Sequence, residues 1–127
     1  MGANTASRLE HVEIEIFCQD SSDYAALGNL FFNLVLGGQT IFRVRLRDME
    51  IRLHPVPTYR ERVNLPVPEK ILVMIGLTPR FPEPGPAGNI QLQPYFIIDG
   101  RRLKGTPARI TAGARHAADI VGEDIVL

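Results

Sequence analysis

The sequence predicts an α+β fold built mainly on antiparallel, twisted β-sheet, with five or six strands, one or two helices and two proline-rich loops. Three observations carry this expectation. His11–Cys18 alternates apolar and polar residues with the period of a half-buried strand. Phe42–His54 alternates too, but its apolar set moves from Phe42, Val44 and Leu46 to Met49, Ile51 and Leu53. Prolines gather in two stretches, one holding Pro55, Pro57, Pro66 and Pro68 and the other Pro79, Pro82, Pro84 and Pro86.

Each element follows from its residues. Val12, Ile14, Ile16 and Cys18 share one face of the first strand, which places the lone cysteine in the core. Gln19–Asp23 then offers turn and N-cap residues. Residues 24–36 admit two structures. Tyr24, Leu27, Phe31, Leu34 and Val35 fit one helical face, and the caps at both ends favour a helix. Gly37-Gly38 would instead join two strands as a hairpin. The phase change in the next strand predicts one extra residue near Arg47-Asp48, a β-bulge.

The first proline stretch, 54–68, predicts an extended arm or an edge-covering loop, because proline fixes the path and donates no ladder hydrogen bond. Lys70–Leu77 is apolar on both faces and predicts a central, buried strand. A second extended loop is expected over 79–88. Asn89–Ile98 returns to strand, and Asp99-Gly100 is a strong turn signal leading into Arg101–Lys104. Thr106-Pro107 resembles a helix start, with Ile110, Ala114, Ala117, Ala118 and Val121 able to line one face up to Gly122. The whole reads as one domain over 1–127, its residues 1–8 forming a short N-terminal arm.

Composition narrows function by exclusion. The 127 residues are 45% hydrophobic and 22% charged, ordinary values for a folded domain with a real core. Fourteen basic residues balance fourteen acidic ones, so the molecule as a whole is not committed to polyanions. The first forty residues hold one basic and five acidic side chains, and the next forty hold eight and four. That polarity suits either complementary faces on neighbouring copies or internal strand pairing. Neither a signal peptide nor an apolar run of membrane-spanning length is evident, which predicts a cytoplasmic protein or one assembled from the cytosol into a particle.

Motifs for chemistry are sparse. His11, His54 and His116 fall on different elements without metal-ligand spacing, so no metal or cofactor is expected. No nucleophile elbow or phosphate-binding glycine loop occurs. Asp48, Glu50 and His54 share a polar face and could act as acid and base groups, or could be a solvated sheet surface. Arg43, Arg45 and Arg47, extended by Arg60 and Arg62 and further by Arg101, Arg102 and Lys104, could neutralise phosphates. Stacking aromatics for single strands are few, with Tyr59, Phe81 and Tyr95 the expected exposed ones.

The second proline loop is the sharpest positive feature. Pro79, Arg80, Phe81, Pro82, Glu83 and Pro84 would form a pre-extended arm with an apolar anchor, which loses little entropy on docking. The leading expectation is therefore a non-enzymatic structural protein that works through protein–protein contacts. Its partners would be copies of itself or other subunits of a larger assembly, and a virion component such as a phage head or tail protein fits the description. The alternatives are a nucleic-acid-associated accessory protein using the arginine-lined strand, and a small-ligand-binding domain or enzyme around Asp48, Glu50 and His54.

Overall fold

The computed structural model describes residues 7–36, 38–66, 70–76, 88–110 and 118–124. It is mostly antiparallel β-sheet, with one 3-10 helix over Ser21–Asn29 and a 3-10 turn over Leu46–Asp48. Ten strands form two sheets that share one apolar core. The first sheet runs β4(Glu50–Arg52), β5(Thr58–Pro66), β1(Arg8–Cys18), β7(Ile90–Ile98), β8(Arg101–Lys104), with β9(Ala108–Ile110) also on β7. The second runs β10(Ala118–Asp124), β6(Lys70–Gly76), β2(Phe31–Leu36), β3(Gln39–Arg45).

Period-two alternation builds the core. Val12, Ile14, Ile16 and Cys18 of β1, with Ile90, Leu92, Phe96 and Ile98 beside them on β7, form one buried cluster with Phe32 and Leu34 of β2 and Val73 and Ile75 of β6 from the second sheet. Cys18 is buried as its phase requires. β6 lies inside the second sheet, between β10 and β2, as its apolar run predicts. Asp99 and Gly100 both take positive φ, the requirement of a type I′ hairpin turn, and Asp-Gly satisfies it between β7 and β8.

Several sequence expectations are corrected. Among the described residues the strands number ten rather than five or six, because the chain changes sheet repeatedly. Residues 24–36 are not one helix: the 3-10 helix ends at Asn29, Leu30 turns extended, and β2 forms the hairpin with β3. No bulge sits at Arg47-Asp48. There the chain leaves the second sheet through the 3-10 turn, anchored by Leu46 N–H donating to Leu30 O, and enters the first sheet as β4. A change of sheet resets the side-chain phase as effectively as an inserted residue does. The bulge in this region lies at Ile41, where the β2–β3 register slips by one.

The expected loop over 54–68 is a loop only to Pro57, since Thr58–Pro66 is a nine-residue strand between β1 and β4. Its prolines stand outside the strand or at its last residue, where strand pairing tolerates a missing donor. Arg8 belongs to β1 rather than to an arm, bonding Asn64 and Asp99. The helix expected from Pro107 to Gly122 is replaced, where described, by β9 and β10. The second proline loop lies outside the described residues except for Gly88, whose N–H donates to Asp23 Oδ2 at 2.8 Å.

Candidate functional site

The outer face of the first sheet brings acidic and basic side chains from several strands together. Alternation turns His11, Glu13, Glu15 and Phe17 of β1 away from the core. Register sets Arg62 and Arg60 of β5 opposite His11 and Glu13 on one side, and Tyr95 of β7 opposite Glu13 on the other. β4 adds Glu50 opposite Arg60, and β8 adds Arg102 and Lys104.

Glu13 is the centre of this face and only 5% exposed. Arg102 Nε donates to its Oε1 at 2.8 Å, and Arg60 Nε approaches its Oε2 to 3.6 Å. That Arg60 nitrogen has no hydrogen-bond acceptor among the described residues, so its contact with Glu13 is coulombic. Arg102 also stacks 3.5 Å above the Tyr95 ring and reaches Glu15 at 3.5 Å, while Tyr95 donates its hydroxyl to Glu15 at 3.2 Å. Burial opposes the Arg102 charge, but Glu13, Tyr95 and Glu15 together outweigh it and raise the guanidinium pKa. Burial and the Glu15 carboxylate push the Tyr95 phenol up. On the other flank, Arg60 Nη2 lies 3.3 Å from His11 Nδ1, and burial with the charges of Arg60 and Arg62 lowers the imidazole pKa.

Glu13, Glu50, Ile51, Arg52, Thr58 and Arg60 line a shallow cleft of about 110 Å³ beside β4. Small-molecule sites usually enclose roughly 300 Å³ or more. One of its two carboxylates, Glu13, is already matched by guanidiniums. Among the described residues no group of three His, Cys, Asp or Glu side chains is placed to hold a metal.

The structure divides the arginine face expected from sequence. Arg43 and Arg45 lie on the outer side of β3, with guanidiniums 4.4 and 5.0 Å from the centre of the Phe31 ring. Arg47 sits in the 3-10 turn, and Arg60 and Arg62 belong to the first sheet. Asp48, Glu50 and His54 do not share a strand face either: Asp48 is in the turn, Glu50 in β4 and His54 in the loop beyond. Tyr59, expected to be exposed, is buried in the core. Pro79, Arg80, Phe81, Pro82, Glu83 and Pro84 lie outside the described residues.

Sequence reasoning missed the β4 edge. Ile51 pairs with buried Tyr59 and so occupies an inner-face position, yet it is 45% exposed, and Leu53 just beyond is 60% exposed. Among the described residues β4 has a neighbouring strand on one side only. The signal lies in the phase change, which puts Ile51 and Leu53 on the apolar side; what the sequence does not give is where the opposing sheet stops. Likewise Glu13 and Arg102 are 89 positions apart, and no local pattern joins them.

No helix among the described residues is long and apolar enough to cross a membrane. The chain matches no protein-family model, no curated protein and no solved structure.

Proposed function

We propose that this chain is a non-enzymatic structural subunit that acts through protein–protein contacts, its partners being copies of itself or other subunits of a larger assembly. One observation carries the proposal: apolar Ile51 stands exposed at an inner-face position of an edge strand, and Leu53 just beyond it is exposed too. An edge strand offers a row of main-chain donors and acceptors, and proteins that stay monomeric commonly blunt it with charge, proline or a bulge. Within the face Glu13 pairs with Arg60 and Arg102, while the edge strand presents Glu50 and Arg52 on either side of the exposed Ile51. A virion component, of phage head or tail, is the kind of assembly proposed.

Light-scattering mass after size exclusion tests this, with the 260/280 nm absorbance ratio recorded across the peak. A defined oligomer with a clean ratio is expected. A monomer at every concentration overturns self-assembly.

A second reading has one observation of its own. Arg43 and Arg45 flank the Phe31 ring on the outer face of the second sheet, a combination of cations and aromatic that single-stranded nucleic acid can use. It requires binding that weakens steeply with salt and is lost when both arginines become Gln. Salt-insensitive binding, or none, removes it.

A further inference from the structure

We infer that β4 is a two-fold contact between two copies of this chain, pairing antiparallel about Ile51 so that Glu50 of each copy meets the partner's Arg52. The inference rests on the assembly function proposed above and names the surface and its occupant.

Backbone alternation fixes which groups are open. Ile16 N–H donates to Pro57 O, so the odd-numbered residues of β5 bond β1 and the even-numbered ones, Thr58 and Arg60, bond β4. Their partners on β4 are Arg52 and Glu50. The N–H and C=O of Ile51 therefore point to the side of β4 that has no neighbouring strand among the described residues. Two copies related by a two-fold axis would exchange both hydrogen bonds at Ile51, and the first sheet would continue across the dimer.

The side chains are self-complementary in that register. Antiparallel pairing centred on Ile51 places Glu50 opposite the partner's Arg52, and Arg52 opposite the partner's Glu50, on the outer face. On the inner face Ile51 meets the partner's Ile51 and gains cover it lacks in one copy. Pro55 then limits the length of the pairing, since it brings no donor.

The other edges lack this property. β3 carries only cations, Arg43 and Arg45, and is bulged at Ile41. β8 carries Arg101, Arg102 and Lys104, and β10 only the acids Asp119, Glu123 and Asp124. Self-pairing on those strands sets no acid against a base. β4 alone among these edge strands holds both signs, and it holds them symmetrically about an apolar residue. A contact this short falls at the small end of specific interfaces, so the dimer is concentration-dependent.

Charge reversal tests the register. Sedimentation of the full chain over a dilution series reaching about 1 mM should show a monomer–dimer equilibrium. E50R alone or R52E alone opposes like charges at both symmetric pairs and should weaken the dimer about tenfold or more. In an equimolar mixture of the two variants, a copy with two basic side chains at these positions meets a copy with two acidic ones. Acid then faces base at both symmetric pairs, and dimer should recover at near wild-type strength. Both positions are exposed, and an unchanged thermal midpoint of each monomer would show that the fold is intact. A wild-type oligomer that ignores both reversals overturns the β4 contact and leaves the assembly function standing. A wild-type monomer throughout overturns the β4 contact and self-assembly together, and leaves only contacts with other subunits.

Discussion

At the residue scale, three side chains give the clearest expectations. Burial, with Asp23 and Asp20 nearby, pushes the Cys18 thiol up to about 11. Thiolate is the reactive form, so at pH 8 the native protein should not react with a thiol-specific disulfide reagent on the minute scale, and the unfolded chain should release one equivalent at once. Fast native labelling would contradict the buried position of Cys18. His11 gives a pH dependence. Its pKa is lowered from the ordinary 6.5 by burial and then by Arg60 and Arg62, so the unfolded chain binds its proton more readily than the folded one. Stability is therefore full above about pH 6.5 and falls as the pH drops below it. Urea midpoints at about pH 7.5 and 5.5 should differ less for His11→Gln than for the wild type; an equal difference would remove His11 as the cause. Glu13 is the third. Glu13→Gln keeps the shape but leaves Arg60 and Arg102 without their shared carboxylate, at a cost of about 1–2 kcal/mol by chemical denaturation. The cost stays moderate because both arginines are partly solvated.

At the element scale, the edge formed by β8 and β9 shows how a single glycine can set a register. β7 pairs with β8 up to Lys104 and with β9 from Ala108, and one extra residue separates the two registers. Gly105 fills the break: its N–H donates to Pro94 O, and an added Cβ would stand 2.8 Å from Phe96 Cε2 and 3.0 Å from Pro94 Cγ. Gly105→Ala should therefore destabilise by about 1–3 kcal/mol through overpacking, read as a lowered denaturation midpoint. A neutral substitution would mean that Phe96 moves aside freely. Legibility at this scale follows the range of the forces involved. The strands β1 and β7 and the Asp99-Gly100 turn are readable because period-two burial and positive φ are local requirements. Ala108–Ile110 and Ala118–Asp124 are not, because Pro107 and spaced alanines fit a helix equally well and the decision comes from pairing with β7 and β6. The phase change after Leu46 is plain in the sequence, but its cause is not. A bulge and a change of sheet leave the same mark on alternation, and only the partner strands distinguish them.

At the scale of the whole molecule, the charge asymmetry along the chain is largely internal. The acidic β1 lies between β5 and β7, and its Glu13 pairs with Arg60 from β5 and with Arg102 from β8, beyond β7. Segments of opposite sign thus meet within one sheet, and the chain as a whole carries no net charge. Two consequences follow for association. Long-range steering between copies is weak, because neutral molecules with internally paired charge present little field beyond a Debye length of roughly 10 Å. Attachment at β4 then depends on short-range terms: two main-chain hydrogen bonds at Ile51, apolar cover and two symmetric ion pairs. Raising salt from about 50 to 500 mM should accordingly weaken the dimer only severalfold, by screening those two pairs. Binding to a nucleic acid through Arg43 and Arg45 would behave differently, since each phosphate neutralised releases counterions and steepens the salt dependence. Sedimentation of the protein alone, and of the protein with a single-stranded oligonucleotide, across the same salt series separates the two. A dimer that persists at high salt with no oligonucleotide bound favours β4, whereas an oligonucleotide complex lost within that range, with the protein alone monomeric, transfers the function to the Phe31 face.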